Sequence, residues 1–366
     1  MNYYYDQSIV ARNLHGQAAC SHSDRYGRSD LMRAPFTFLV FRRWQSLAAL
    51  GLLILLLVFP MGCATEHAGS RTNLTTEWQA GQILDTRTGF VISFSDVIKD
   101  LEAQDIVYLG EEHHNPHHIE AALKILSQLV KDRIEPTIGM EMFGWDGQPA
   151  LDTYVSTTQP VSDEFLEQVR WKQNWGGSFD DYAPLVMFAR DHHLTVRAMN
   201  PPKPLIRRVV KEGLAQAKQD PEWVSWGLDR EEIVDDPAYR EKIFDQLQRC
   251  HGGSAEHYRT MYEASMVRDE GMARTLALRN DELRGEEGDS RRMIVSYTGG
   301  GHVQYKLPVP KRVARRLGEQ IKQAAIYLLS FDSSKVEHVR ELIQESIADY
   351  IWLTPMDKAR QVKPCR

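Results

Sequence analysis

From about residue 83 onward, short apolar runs alternate with longer stretches in which apolar residues recur every three or four positions. The runs at 106–109, 137–140, 194–199, 293–297 and 324–330 are strand-length and separated by helical patterns, which predicts a parallel sheet covered on both faces. A helix-like stretch spans 93–102. Another opens at Asn115-Pro116, a good N-cap followed by a proline where a missing N–H costs nothing. Its residues Ile119, Ala122, Leu123, Leu126, Leu129 and Val130 form one buried stripe. Residues 204–280 are helical and highly charged with no strand-like run, and read as a smaller helical subdomain inserted between two strands. Residues 348–354 have the makeup of a final edge strand. The expected fold is α/β, a mostly parallel sheet flanked by helices.

In such a sheet ligands bind beyond the carboxyl ends of the strands. Those ends here carry Glu111, Glu112, His113 and His114 after the first run, Glu141 after the second, Asn200-Pro201-Pro202 after the third and Gly299-Gly300-Gly301-His302 after the fourth. Any one of these is ordinary for a loop or a cap. Together on one edge they form a candidate site, because crowded carboxylates need a cation, an arginine or a shared proton. Three glycines before His302 let a ligand approach the main chain. His113, His114, His117 and His118 make an imidazole-rich tract that suits a transition metal or haem iron. His192 and His193 fall before their strand, at the opposite edge, and read as solvated loop residues. Trp171, Trp175 and Tyr182 supply flat surface, either core or the wall of a pocket. In the helix over 256–280, Arg268, Asp269 and Glu270 read as a solvated face, while Tyr258 and Tyr262 are of a type that ligates haem.

Composition changes the picture mainly at the N-terminus. The 366 residues carry a formal charge of −6, and no long basic stripe marks the region after residue 63, which excludes a nucleic-acid partner. Arg42 and Arg43 precede an apolar run over 47–59 that ends in Gly62-Cys63. That order is a signal peptide over 32–62; the run is short of the roughly 20 residues of a spanning helix, the alternative reading. Gly62-Cys63 resembles a lipobox, with cleavage before Cys63 and lipid on its thiol, a firm anchor without a spanning helix. Residues 1–31 precede a signal already complete from Met32, so the start falls near Met32, or else they form a poorly ordered extension. Residues 63–82 read as a tether to a domain over 83–366. Cys250 and Cys365 form one bridge or stay free. The expected location is the cell envelope, at the outer membrane facing the periplasm.

The segments "IVYLGEEHHNPHH", "GMEMF", "WGGSFDDYAPLVMFAR", "VRAMNPP", "RDEGMA", "YTGGGHV" and "DYIWLTP" resemble, in order, the ChaN-like haem-binding lipoproteins of the wider Tiki and erythromycin-esterase superfamily. The resemblance implies a parallel-sheet domain with a smaller helical one, haem binding linked to iron acquisition, and a dimer. It also implies a paired GxxH signature, met by Gly110–His113 and Gly299–His302, with Glu111 and Glu141 beside it.

Two functions follow. In the first the chain binds haem against the Trp and Tyr surface, with His113, His114, His302, Tyr258 or Tyr262 as the residues that meet the cofactor. In the second, His113, Glu141 and His302 hold a divalent metal such as zinc or manganese, and Glu111 or Glu112 is the general base of an ester or amide hydrolase.

Overall fold

The structure, a computed structural model, describes residues 78–158, 160–250, 253–286 and 290–357. The signal segment, Cys63, most of the tether and Cys365 lie outside the described residues, as does the side chain of Cys250. Among the described residues no helix is long and apolar enough to cross a membrane.

In chain order the elements are β1 (Ile83–Asp85), β2 (Phe90–Ile92), α1 (Phe94–Glu102), β3 (Ile106–Glu111), α2 (Pro116–Lys131), β4 (Ile134–Gly144), α3 (Gln148–Val155), α4 (Asp163–Gln168), α5 (Trp171–Asn174), α6 (Ala183–Asp191) and β5 (Val196–Asn200). There follow α7 (Lys203–Glu212), α8 (Leu214–Ala217), α9 (Pro221–Ser225), α10 (Pro237–Cys250), α11 (Ala255–Gly285), β6 (Arg291–Gly299), α12 (Val309–Leu317), β7 (Gln323–Phe331), α13 (Val336–Gln344) and β8 (Tyr350–Pro355). The cap residues act as expected: Ser93 accepts from the N–H of Asp96 and Asn115 from that of His117, each satisfying an otherwise orphaned donor.

The strands form one sheet in the order β2-β1-β8-β7-β3-β6-β4-β5. All neighbours from β8 to β5 are parallel, and β1 pairs antiparallel with both β2 and β8. Alternation along β3 divides the core. Val107 and Leu109 face a layer that includes residues of α1, α2, α3 and α6, whereas Ile106 and Tyr108 face one that includes residues of α11, α12 and α13. Strands buried on both faces explain why the runs read as nearly continuous apolar segments.

Two expectations change. The final strand is internal, because the hairpin of β1 and β2, two three-residue strands too short to leave a pattern, covers its outer side. The helical region between β5 and β6 does not stand apart either: α11, 31 residues long, lies against β5 and β6 as well as α7 and α12.

The connections set the position of the site. β3 leads through α2 to β4, past β6; β6 leads through α12 to β7, past β3. The chain therefore leaves these adjacent strands toward opposite sides and opposite faces, opening a crevice beyond their carboxyl ends. Close approach there depends on Gly110, where an added Cβ would lie 2.5 Å from Val303 Cγ2 and 2.9 Å from the Gly300 Cα. Gly110→Ala is expected to destabilise the fold by about 1–3 kcal/mol through this overlap, read as a lower urea midpoint at unchanged slope; an unchanged midpoint would show that the 300–303 turn gives way freely.

Candidate functional site

In the parallel register Glu111 of β3 sits beside Gly299 of β6, with β4 on the far side of β6 and β5 beyond it. The four adjacent strands β3, β6, β4 and β5 thus bring the expected carboxyl-end residues to one place. Strand β4 continues past Glu141, and the ladder to β5 shifts register between Met140 and Gly144; such an irregularity re-aims side chains.

Glu111 is buried, and its carboxylate is fully engaged. Oε1 meets the Tyr182 hydroxyl at 2.9 Å and His113 Nδ1 at 2.8 Å, and Oε2 meets the Tyr297 hydroxyl at 2.8 Å. Burial and the neighbouring Glu111 push both phenols well above their ordinary range, so both donate. Tyr182 in turn accepts from the backbone N–H of His114 at 3.0 Å, so its one hydrogen goes to Glu111. Glu111 thus holds Nδ1 of His113, and Nε2 is left as the outer nitrogen of a ring that lines the cavity. Trp175 stands edge-on against His113, with centroids 4.8 Å apart. Gly299 admits the ring: a Cβ there would come within 2.9 Å of Nε2.

Glu141 is likewise buried. Its Oε1 is paired with Arg268 and lies 3.3 Å from His302 Nε2; its Oε2 accepts the Gly299 N–H at 2.6 Å. Burial alone would raise this carboxyl, but the charges of His302 and Arg268 outweigh it and hold it well below the usual range. The converse applies to His302: burial works against its charge, yet Glu141 and Asp269, the latter 2.6 Å from Nδ1, push it up to about 9. His302 is therefore an imidazolium that donates from both nitrogens.

The expected metal set of His113, Glu141 and His302 is not assembled here: Glu141 is paired with Arg268, and His302 lies between Glu141 and Asp269. Among the described residues no group of three or more His, Cys, Asp or Glu is arranged to hold a metal. The expected general bases are also accounted for otherwise. Glu111 positions His113, and Glu112 turns toward β7, where its Oε2 accepts from the Ser330 hydroxyl at 2.5 Å. Next to it, burial pushes His118 down to about 4; the neutral ring accepts from the Glu112 N–H and meets Thr354 Oγ1.

The remaining candidates divide. His114, with a left-handed φ of 64°, is tied through Nδ1 to Asp181 at 2.6 Å and lines the cavity beside His113. His302 borders a separate chamber of about 20 Å³ that His113 also lines, room for one water. Tyr262 is in the core, its hydroxyl 2.7 Å from Asp235 Oδ1, and Tyr258 packs at the edge of that same cluster; neither lines either space. Trp171 and Tyr182 belong to the core, and Trp175 is the pocket wall. His192 and His193 are exposed.

The main cavity, about 420 Å³, lies beyond the ends of β3 to β5 and under the helical region, a size at which small ligands seat. Phe143, Trp175, Ile206, Val210 and Met261 give it apolar walls, and His113 and His114 face it. Asp269 and Glu270 are buried and Arg268 is half-buried, which was not foreseen. Successive helical residues point about 100° apart, and each finds its own partner: Arg268 meets Glu141, Asp269 meets His302, and Glu270 meets Arg312, Arg315 and Arg316.

A family model described as haem-binding uptake, Tiki superfamily, ChaN matches residues 97–313. Among solved structures the chain is similar to a ChaN of Campylobacter jejuni with cofacial haem binding, at 18% identity and a TM-score of 0.52 over 74% of this chain and 95% of that one. The likeness shows the same fold. Weaker matches include a Bacillus cereus protein, at 16% identity and TM-score 0.34 over 66% of this chain and 70% of that one. Another is an erythromycin esterase variant in its open conformation, at 16% identity and TM-score 0.34 over 64% and 71%. A search of curated proteins returned no significant match.

The Glu141–His302 pair makes stability depend on pH in a defined direction. The raised His302 stabilises the fold fully below its ordinary 6.5, and this contribution is lost as the pH climbs through about 9. The lowered Glu141 contributes fully above its ordinary 4.5, and that contribution is lost as the pH falls through its depressed value. Urea unfolding is expected to show wild-type resistance declining from pH 6.5 to beyond 9. His302→Gln should be less stable at pH 6.5, by about 3 kcal/mol or more, and should lose that slope; parallel curves would mean that His302 is not charged in the fold.

Proposed function

The chain belongs to the ChaN family of haem-binding uptake proteins in the Tiki superfamily, and on that premise we propose that its cavity binds haem. One observation carries the reading: two imidazoles line the cavity among aromatic and apolar walls, His113 with Nδ1 held by Glu111 and His114 with Nδ1 held by Asp181. The donor set fits haem and not a bare divalent ion. Haem, when bound, would supply an iron centre open to a protein nitrogen donor. His113 would provide it, Glu111 would hold that ring in the right tautomer, and Trp175, Phe143, Ile206 and Met261 would cover the macrocycle. The hydrolase alternative has no comparable support, because the carboxylates it needs as bases and ligands are already engaged.

Titration of the full chain with ferric haem is expected to give a shifted Soret band. His113→Ala should abolish or relocate that band, Glu111→Gln should weaken binding by about 10–100-fold, and Tyr258→Phe and Tyr262→Phe should leave it alone. Loss of the band in the Tyr262 variant with full retention in the His113 variant would overturn the assignment. Haem per chain, with the mass of the loaded species, reads out the dimer that the family resemblance implies.

The positive flank, apolar run and Gly62-Cys63 support a second part of the proposal: the protein is lipid-anchored through Cys63 at the outer membrane, facing the periplasm, and serves iron uptake from there. Fatty-acid labelling of the membrane fraction is expected for the natural chain and absent for Cys63→Ala; undiminished labelling of that variant would remove the anchor.

A further inference from the structure

On the side away from the His113 cavity the sheet ends in the hairpin of β1 and β2. Among the described residues β2 pairs only with β1, Ile92 with Ile83, Val91 with Leu84 and Phe90 with Asp85, so its outer side is open. Its first two residues are Phe90, 75% exposed, and Val91, 44% exposed. Neither belongs to a core layer, although Ile92 and Phe94 just after them pack against one. The other large exposed apolar residues among those described, Met187, Val224 and Leu278, stand singly on α6, α9 and α11, which is ordinary on any surface. Two neighbours on an open edge strand are not, since such an edge invites association and is usually blunted by lysine or proline.

The charges around this rim cancel. Arg87, in the hairpin turn, is 2.7 Å from Asp85 and 3.7 Å from Asp100, and Lys99 is 3.2 Å from Asp96. Lys124 lies over the rings of Phe94 and Trp352, its Nζ 4.4 Å from the Phe94 centroid. Apolar side chains inside a nearly neutral collar are neither repelled nor drawn by a charged surface, and meet an apolar one. The order of the chain says which apolar surface is at hand: the tether over 63–82 runs from Cys63 directly into β1. A random chain of about 20 residues has a root-mean-square span of about 25 Å. A patch on such a tether meets the surface that holds the other end at an effective concentration on the order of millimolar, so a weak contact is enough.

We infer that the β1–β2 hairpin is the edge on which the domain rests on the membrane: Phe90 and Val91 insert into the interfacial layer of the phospholipid bilayer that anchors Cys63. The inference rests on the lipid-anchor part of the proposed function and goes beyond it by fixing which edge of the domain faces the bilayer. Successive side chains of a strand point to opposite faces, so Phe90 and Val91 straddle the rim and enter lipid together only when the sheet stands edge-on. At about 4.8 Å per strand, β3 to β5 then stand roughly 20 to 35 Å above β2. The cavity beyond their ends is held clear of the headgroups and open to solvent.

The test places a photoreactive residue on this rim. The full chain, reconstituted in phosphatidylcholine vesicles, carries Phe90→p-benzoylphenylalanine or, as a control on α11 against β5 and β6, Leu278→p-benzoylphenylalanine, and the adducts formed on illumination are read by mass spectrometry. Lipid adducts are expected at position 90, with about tenfold fewer at 278, and high salt should change neither. In a second measurement, amide hydrogen exchange over 83–92 is expected to slow about tenfold on the vesicles. Phe90→Ser with Val91→Ser should abolish that slowing and leave thermal unfolding unchanged, because neither side chain is in the core. Equal lipid adducts at the two positions, or none at 90, would overturn the membrane edge; adducts between two chains at 90 would overturn it in favour of edge pairing with a second copy. Fatty-acid labelling at Cys63 decides the underlying reading separately: labelling without lipid adducts at 90 removes the edge and keeps the anchor, whereas absence of both removes both.

Discussion

The architecture depends on accommodating carboxyl groups in a place almost without water. Glu111, Glu141 and Asp269 are all nearly or completely buried around the ends of β3, β4 and β6. An uncompensated charge in such a setting costs several kcal/mol, so each must be met by donors placed to within hydrogen-bond distance. They are met by two phenols and an imidazole for Glu111, by a guanidinium, an imidazolium and a backbone N–H for Glu141, and by the imidazolium's other side for Asp269. These partners come from β6, α11 and the turns after β3 and β6, with Tyr182 just ahead of α6. The network joins the helical region to the sheet as firmly as any apolar contact does, which accounts for α11 belonging to both.

That saturation also decides what the inner wall can do. A carboxylate whose oxygens are all engaged, as in Glu111 and Glu141, is a poor ligand for an incoming ion and a poor base. Beside these pairs the cavity is lined by the imidazoles of His113 and His114, the aromatic and aliphatic walls, and the cations of α7. A site of this composition is suited to holding something, and the same side chains that in another setting would suggest hydrolysis here set the tautomer and position of one ring.

The general outline of this was legible in the residues. Four of the five strand-length runs break into Glu, His, Asn or Gly, and these located the carboxyl-end cluster because in a parallel sheet strand ends must share an edge. Three things were hidden, each for a physical reason. The β1–β2 hairpin is too short to carry a period. The metal reading failed because a list of His and Glu does not reveal that an arginine 127 residues away occupies the decisive oxygen. Asp269 and Glu270 looked like a solvated face because burial of a charge is set by its partner, and those partners, His302 and the arginines of α12, lie far along the chain. The cations of α7 could have been found: Lys203, Arg207 and Lys211 stand at helical spacing directly after a strand end, and the general polarity of the region masked them.

The site is thus divided between two sources with different jobs. The sheet ends carry His113 within a wall of paired charges, and that pairing stabilises the fold. The first helix of the inserted region carries cations that the fold depends on less, since Arg207 and Lys211 are exposed and Lys203 is only partly buried. Changes on α7 are therefore tolerated more readily than changes in the inner wall.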